Sequence, residues 1–140
     1  MLTNGGDMKA AIVVDQSLPT GLKSNCGAVL GVSLGALHPE IVGPDLHDAG
    51  GGFHHGITGL PIPVLSATGG LIAEIVDRSR GSEETKVIAF NNIAQSCTSY
   101  DEYEKQLAAT KREDLSYLAV LIVGTKRGVN RLAGSLPLVR

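Results

Sequence analysis

The sequence predicts an α/β sandwich built around a central mixed β-sheet. Three observations carry this. Apolar runs at 9–15, 86–90 and 117–123 read as strands, the first of them, β-branched and Ala-rich, as one buried on both faces. Segments with apolar residues at helical spacing, at 22–37, 71–76 and 126–133, lie between and after them. No repeat, linker or low-complexity stretch interrupts the 140 residues, and 43% hydrophobic residues are enough for one core. A single domain over residues 8–140 is expected, preceded at 1–7 by a polar, Gly-bearing leader that reads as a flexible extension.

Taken in order, Lys9 to Asp15 is an apolar strand ending in an acid. Ser17, Leu18, Pro19, Thr20 and Gly21 punctuate the chain. Leu22, Cys26, Val29, Leu30, Leu34 and Leu37 then recur at helical spacing until Pro39 stops the pattern, which gives a helix of about 16 to 18 residues. Gly27, Gly31 and Gly35 fall on one stripe of it. Each costs up to ~1 kcal/mol of helix propensity relative to Ala, and close approach of the stripe to the sheet is the expected compensation.

Ile41 to Gly43 is a short strand or strand stub. The following segment to Gly56, with glycines at 50, 51 and 52, is a β-hairpin or excursion loop. Leu60 to Ser66 is an apolar run whose Pro61 and Pro63 belong at its start or on an edge. Thr68 caps a helix that buries Leu71, Ile72, Ile75 and Val76, exposes Glu74, Asp77, Arg78 and Arg80, and ends at Gly81. Lys86 to Phe90 is a strand, Asn91 to Thr98 a loop, and Ser99 with Glu102 forms a capping box for a helix to Ala109. A strand from Tyr117 to Val123, a turn at Gly124, a helix from Lys126 to Ala133 and an apolar end at 136–139 complete the chain.

Composition excludes several classes. Residues 1–100 carry five Lys/Arg against nine Asp/Glu and residues 101–140 seven against five, so neither part announces nucleic-acid binding by charge. The apolar runs are far shorter than the ~20 residues of a spanning helix, and no basic region followed by an apolar stretch opens the chain, so a soluble cytoplasmic protein without membrane contact is expected. Cys26 and Cys97 have no metal-ligand spacing and are expected to be free thiols, Cys26 an inert one in the core. No dinucleotide fingerprint, phosphate loop or nucleophile elbow is present, and no cofactor is expected.

In α/β sheets ligands gather beyond the carboxyl ends of strands. The first candidate site is therefore the loop after the first strand. Asp15 ends that strand as an acid, base or orienting group, or else as a clamp on loop amides. Thr20 is placed to cap the helix, and Lys23 and Asn25 lie on its first turns, near the positive end of its dipole. A second cluster comprises Asp45, His47, Asp48, His54 and His55. Adjacent strand residues point to opposite faces, so His54 and His55 are poorly placed to share an ion; no metal site is assigned, and Asp45 and His55 are retained as residues lining a ligand cleft with the first loop. A third is the basic helix after Gly124. Its Lys126, Arg127 and Arg131 form a solvated face or an RNA-backbone contact, and Asn130 is a candidate ligand contact.

Several segments in order carry a specific resemblance: Lys9 to Asn25 (KAAIVVDQSLPTGLKSN), Val42 to Asp45 (VGPD), Gly56 to Leu65 (GITGLPIPVL) and Val129 to Arg140 (VNRLAGSLPLVR). Together they resemble domain-of-unknown-function family 2000 from about residue 8 to residue 140. That family in turn resembles the type II peptidyl-tRNA hydrolase fold, which implies a three-layer α/β/α sandwich with a small mixed sheet. The hydrolases' closing Thr-Gly-His-Leu is mirrored by Ala133, Gly134, Ser135 and Leu136 after the strand, Gly turn and short helix. Their first loop also begins with an acid, as Asp15 does. Where they carry Gly-Lys-Gly-Lys and Gln-Cys-x-His, however, this chain has Pro19, Thr20, Gly21, Leu22 and Asn25, Cys26, Gly27, Ala28. Loss of the loop lysine and helix histidine removes groups worth orders of magnitude in rate.

The expectation is a binding module for a small molecule or another protein. Its alternative is a hydrolase of peptidyl-tRNA or a related aminoacyl ester that uses Asp15 and Asn25, with tRNA as partner. The low charge content and glycine-striped helix add the expectation of a homodimer.

Overall fold

The computed structural model describes residues 8–140. Four strands form the main sheet: β1 (Met8–Asp15), β4 (Val64–Ala67), β5 (Thr85–Asn91) and β6 (Tyr117–Thr125), in the order β4-β1-β6-β5. β4 runs parallel to β1 with Asp15 opposite Ala67. β6 is antiparallel to both β1 and β5, so the sheet is mixed, as expected. A separate two-stranded hairpin, β2 (Leu46–His47) and β3 (Phe53–His54), projects from the chain between α1 and β4.

Strand periodicity divides the core. Ala10, Ile12 and Val14 of β1 and Ala119, Leu121 and Val123 of β6 face helix α1 (Thr20–Leu37), which buries Cys26, Leu30 and Leu34 against them. The alternate residues Ala11, Val13, Val120 and Ile122 face α2 (Gly69–Arg78) and α5 (Lys126–Ala133), through Ile72, Ile75, Val129 and Ala133. Thr68 caps α2 by accepting from the Leu71 amide, as predicted, and Thr125 caps α5 through the Gly128 amide. The expected leader at 1–7 lies outside the described residues.

Several elements differ from expectation. Ile41 belongs to a single 3₁₀ turn, Pro39–Ile41, because Pro39 starts a tight turn immediately after α1; only Val42 pairs, in one bridge to Thr58. The apolar run from Leu60 yields a strand only from Val64, since Pro61 and Pro63 have no N–H for a ladder. The segment expected as a loop contains α3 (Asn92–Ser96), for which the Asn91 side chain caps the Ala94 amide at 2.9 Å. In α4 (Tyr100–Ala108) Ser99 caps the Glu102 amide. Glu102 answers one residue further out, accepting from the Thr98 amide and hydroxyl. The end of the chain lies along β4, with the Ser66 amide donating to the Pro137 carbonyl and the Val139 amide to that of Val64.

The glycine stripe on α1 is a correction. A Cβ at Gly27, Gly31 or Gly35 would meet nothing within 4 Å, so the stripe does not press on the sheet. Close approach occurs instead at Gly124, where a Cβ would overlap the Glu84 carbonyl oxygen, and at Gly128, packed on Thr85 and Glu84. Gly124→Ala is expected to lower stability by about 1–3 kcal/mol, the range for overpacking. Gly31→Ala is expected to raise it by up to ~1 kcal/mol through helix propensity. Urea unfolding of the two variants checks both signs.

Candidate functional site

β1, β4 and β5 point the same way, so Asp15, Ala67 and Asn91 finish at one end of the sheet, where α1, α2 and α3 begin. Asp15 closes its own loop: Oδ1 accepts from the Ser17 amide at 2.9 Å and the Ser17 hydroxyl at 2.8 Å. Oδ2 lies against Gly69 at the start of α2, where a Cβ would come within 3.2 Å of it. The clamp reading of Asp15 is thus present in the geometry, with one carboxylate oxygen left facing a helix N-terminus.

Thr20 does not cap α1. Pro19 holds the N-cap position without a side-chain bond, and Thr20 is the first helical residue, its carbonyl accepting from Ser24 Oγ. Thr20, Lys23, Ser24 and Gly27 share one side of the helix and line a cavity of about 290 Å³ with Val64, Val139 and Arg140. Asn25 is exposed and lies about 200° around the helix from Lys23, on the other flank of the buried Cys26, so the two do not address one ligand. Burial pushes the Cys26 thiol pKa up, which keeps it protonated and inert. Both cysteines are free, as expected.

Asn130 stands apart from this end. β6 runs against β1, placing Met8 opposite Thr125 and the start of α5 at the amino end of β1, some ~23 Å along the strand from Asp15. There Asn130 Oδ1 accepts from Lys9 Nζ at 2.5 Å. Arg131 on the same helix pairs with Glu84 at 3.0 Å, while Lys126 and Arg127 are exposed.

Asp45 and His55 do come together, but within the excursion alone. Asp45 Oδ1 accepts from the Gly56 amide at 2.8 Å and lies 3.6 Å from His55 Nδ1. Asp48 accepts from the Gly50 and Gly52 amides and stands 2.8 Å from His54 Nε2. Phe53 meets the rings of His47 and His55 edge-on. The neck is closed by the Gly43 amide on the Ile57 carbonyl, where Gly56 packs so tightly on Gly43 that a Cβ would collide with its carbonyl. The resulting cavity of about 580 Å³ is lined by residues 43–58 only, so the cleft expected between the first loop and the excursion is not the cavity formed. Among the described residues no three His, Cys, Asp or Glu side chains gather around one point.

The profile of the family described as a protein of unknown function, DUF2000, matches residues 8–140. The chain belongs to the DUF2000 family. Among solved structures, the protein of unknown function Atu0240 from Agrobacterium tumefaciens C58 is similar in fold to this DUF2000 chain. The TM-score is 0.84 at 17% identity, over 94% of this chain and 97% of that one. No curated protein matches it. No helix among the described residues of this DUF2000 protein is long and apolar enough to cross a membrane.

One cavity of the DUF2000 chain was missed from sequence. About 410 Å³ in volume, it lies between α1, β5 and the α3–α4 pair, with Phe90, Ser99, Tyr100 and Tyr103 among its walls. The available signal was Tyr100 and Tyr103, one helical turn apart behind the capping Ser99. Reading 91–98 as a loop hid it, because α3 is what brings that turn back over the sheet.

The excursion generates a pH prediction. The His54 contact, then the Gly52 and Gly50 amides, hold the Asp48 carboxyl below the ordinary aspartate range. A lowered folded pKa stabilises the hairpin above the ordinary aspartate pKa, and that contribution is lost as pH falls through the folded value. In an NMR titration the shift of the Gly50 and Gly52 amides that reports Asp48 protonation is therefore expected to have its midpoint below the ordinary aspartate pKa of about 3.9. Asp48→Asn removes the transition.

Proposed function

We propose that this chain is a small-ligand-binding module on a type II peptidyl-tRNA hydrolase-like three-layer frame, taking an anionic ligand between the first turns of α1 and the C-terminal segment. The observation that carries it is the Thr20–Lys23 cavity. Lys23 and Arg140 line it with the hydroxyls of Thr20 and Ser24, and no acidic side chain lines it. Two cations and the Thr20 hydroxyl on one small concavity favour a carboxylate or phosphate over a neutral ligand. The hydrolase-like frame is supported by helices on both faces of a mixed sheet and by the strand, Gly turn, short helix and Ala133 to Leu136 close. Lys23 is the residue on which the test turns.

The hydrolase reading has one observation in its favour, Asp15 Oδ2 at the start of α2. Against it stand the Ser17 clamp on Oδ1 and the missing loop lysine and helix histidine. A homodimer is proposed through the outer side of α1, where Val32 is 75% exposed among Gly and Ala residues and a two-fold copy would oppose the same uncharged surface.

Inorganic phosphate or citrate is expected to raise the melting temperature saturably, and Lys23→Gln to weaken that binding about tenfold, equivalent to ~1.4 kcal/mol. Asp15→Asn is expected to leave it unchanged, with labelled peptidyl-tRNA intact in both proteins. Release of free tRNA that stops in Asp15→Asn would overturn the binding reading in favour of the hydrolase.

A further inference from the structure

The cavities differ in their charge. Those at Lys23 and His54, and a further one of about 280 Å³ between Arg78, Glu84 and Arg131, have ionisable side chains in their walls; the one over β5 has no Asp, Glu, Lys, Arg or His. We propose that this uncharged cavity binds a small neutral aromatic carbonyl compound.

Size and shape come first. About 410 Å³ falls within the range of small-molecule sites, roughly 300–1,000 Å³, and suits a molecule of one or two rings. Its floor is apolar: Leu30 from α1 and Ile88 and Phe90 from β5, an edge strand of the sheet. At the mouth Tyr100 and Tyr103 stand edge to face, centroids 5.5 Å apart, and Tyr100 is exposed. An aromatic ring placed between the Tyr pair and Phe90 would gain the perpendicular contacts these rings prefer.

The hydrogen-bonding groups select the rest of the ligand. Tyr103 Oη accepts from Asn91 Nδ2 at 3.4 Å, and Ser99 Oγ accepts from the Glu102 amide at 3.1 Å. Neither hydroxyl donates to an acceptor among the described residues, so both protons are available to a ligand. Hydroxyl donors in the wall and none of the charges that would neutralise an anion call for a carbonyl oxygen, not a carboxylate. Asn91, only 5% exposed, is held by its cap on α3 with Nδ2 turned toward the Tyr103 oxygen.

The test is a ¹H–¹⁵N NMR titration of the full chain with acetophenone as probe and benzoate as its charged counterpart. Acetophenone is expected to shift the amides of Ala89, Ala94 and Cys97 saturably, with benzoate at least tenfold weaker. Tyr103→Phe keeps the ring and removes the donor, and is expected to weaken acetophenone about fivefold to tenfold, the worth of one hydrogen bond. Ala94→Phe fills the cavity and is expected to abolish the shifts; Ser33→Phe does so from the α1 wall if the first variant unfolds. Phosphate, the probe for the Lys23 cavity, leaves these amides unmoved, so either proposal can fail alone. The absence of saturable shifts, benzoate binding as tightly as acetophenone, or acetophenone binding that survives the filled cavity would each overturn the proposal.

Discussion

The structure depends on the antiparallel pairing of β1 with β6, two strands buried on both faces at the centre of the sheet. From Ala10 to Val14 and from Ala119 to Val123 every residue is nearly inaccessible. A strand pair with no polar face cannot exist as a hairpin in water and must be covered on both sides. α1 covers one side and α2 with α5 the other, and the strict alternation of side chains decides which residues each helix meets.

The direction of β6 then sorts the polar residues between two ends of the sheet. Three parallel strands deliver Asp15, Thr68 and Asn91 to one end, together with the starts of three helices. β6 returns toward the amino end of β1, carrying α5 and Asn130 with it. Residues that looked equivalent as candidates in a linear chain are thereby separated by the length of a strand.

Many of the polar side chains at sharp turns are occupied by the backbone. Asp15 holds Ser17, Asp48 holds Gly50 and Gly52, Asp45 holds Gly56, and Asn91 holds Ala94. Each bond answers an amide that the turn leaves without a ladder or helix partner. The open space between elements lies at the first turns of α1, over the edge of β5 and within the excursion.

The sequence by itself determined the α/β class, β1 and β6, the long α1, the Thr68 cap and the inert Cys26, since each rests on local periodicity or capping chemistry within a few residues. It also located the excursion, but not the pairing of its acids with its histidines. It missed α3, whose cap comes from a residue that also ends a strand, and it gave the open glycine stripe of α1 a packing role. Which candidates share a site was decided only by tertiary structure. Thr20 and Lys23 meet Arg140, Asp45 meets His55, Asn130 meets Lys9, and Phe90 meets Tyr103 around a cavity. The physical reason is that strand order and direction bring distant segments together, and neither is encoded in the local spacing of residues.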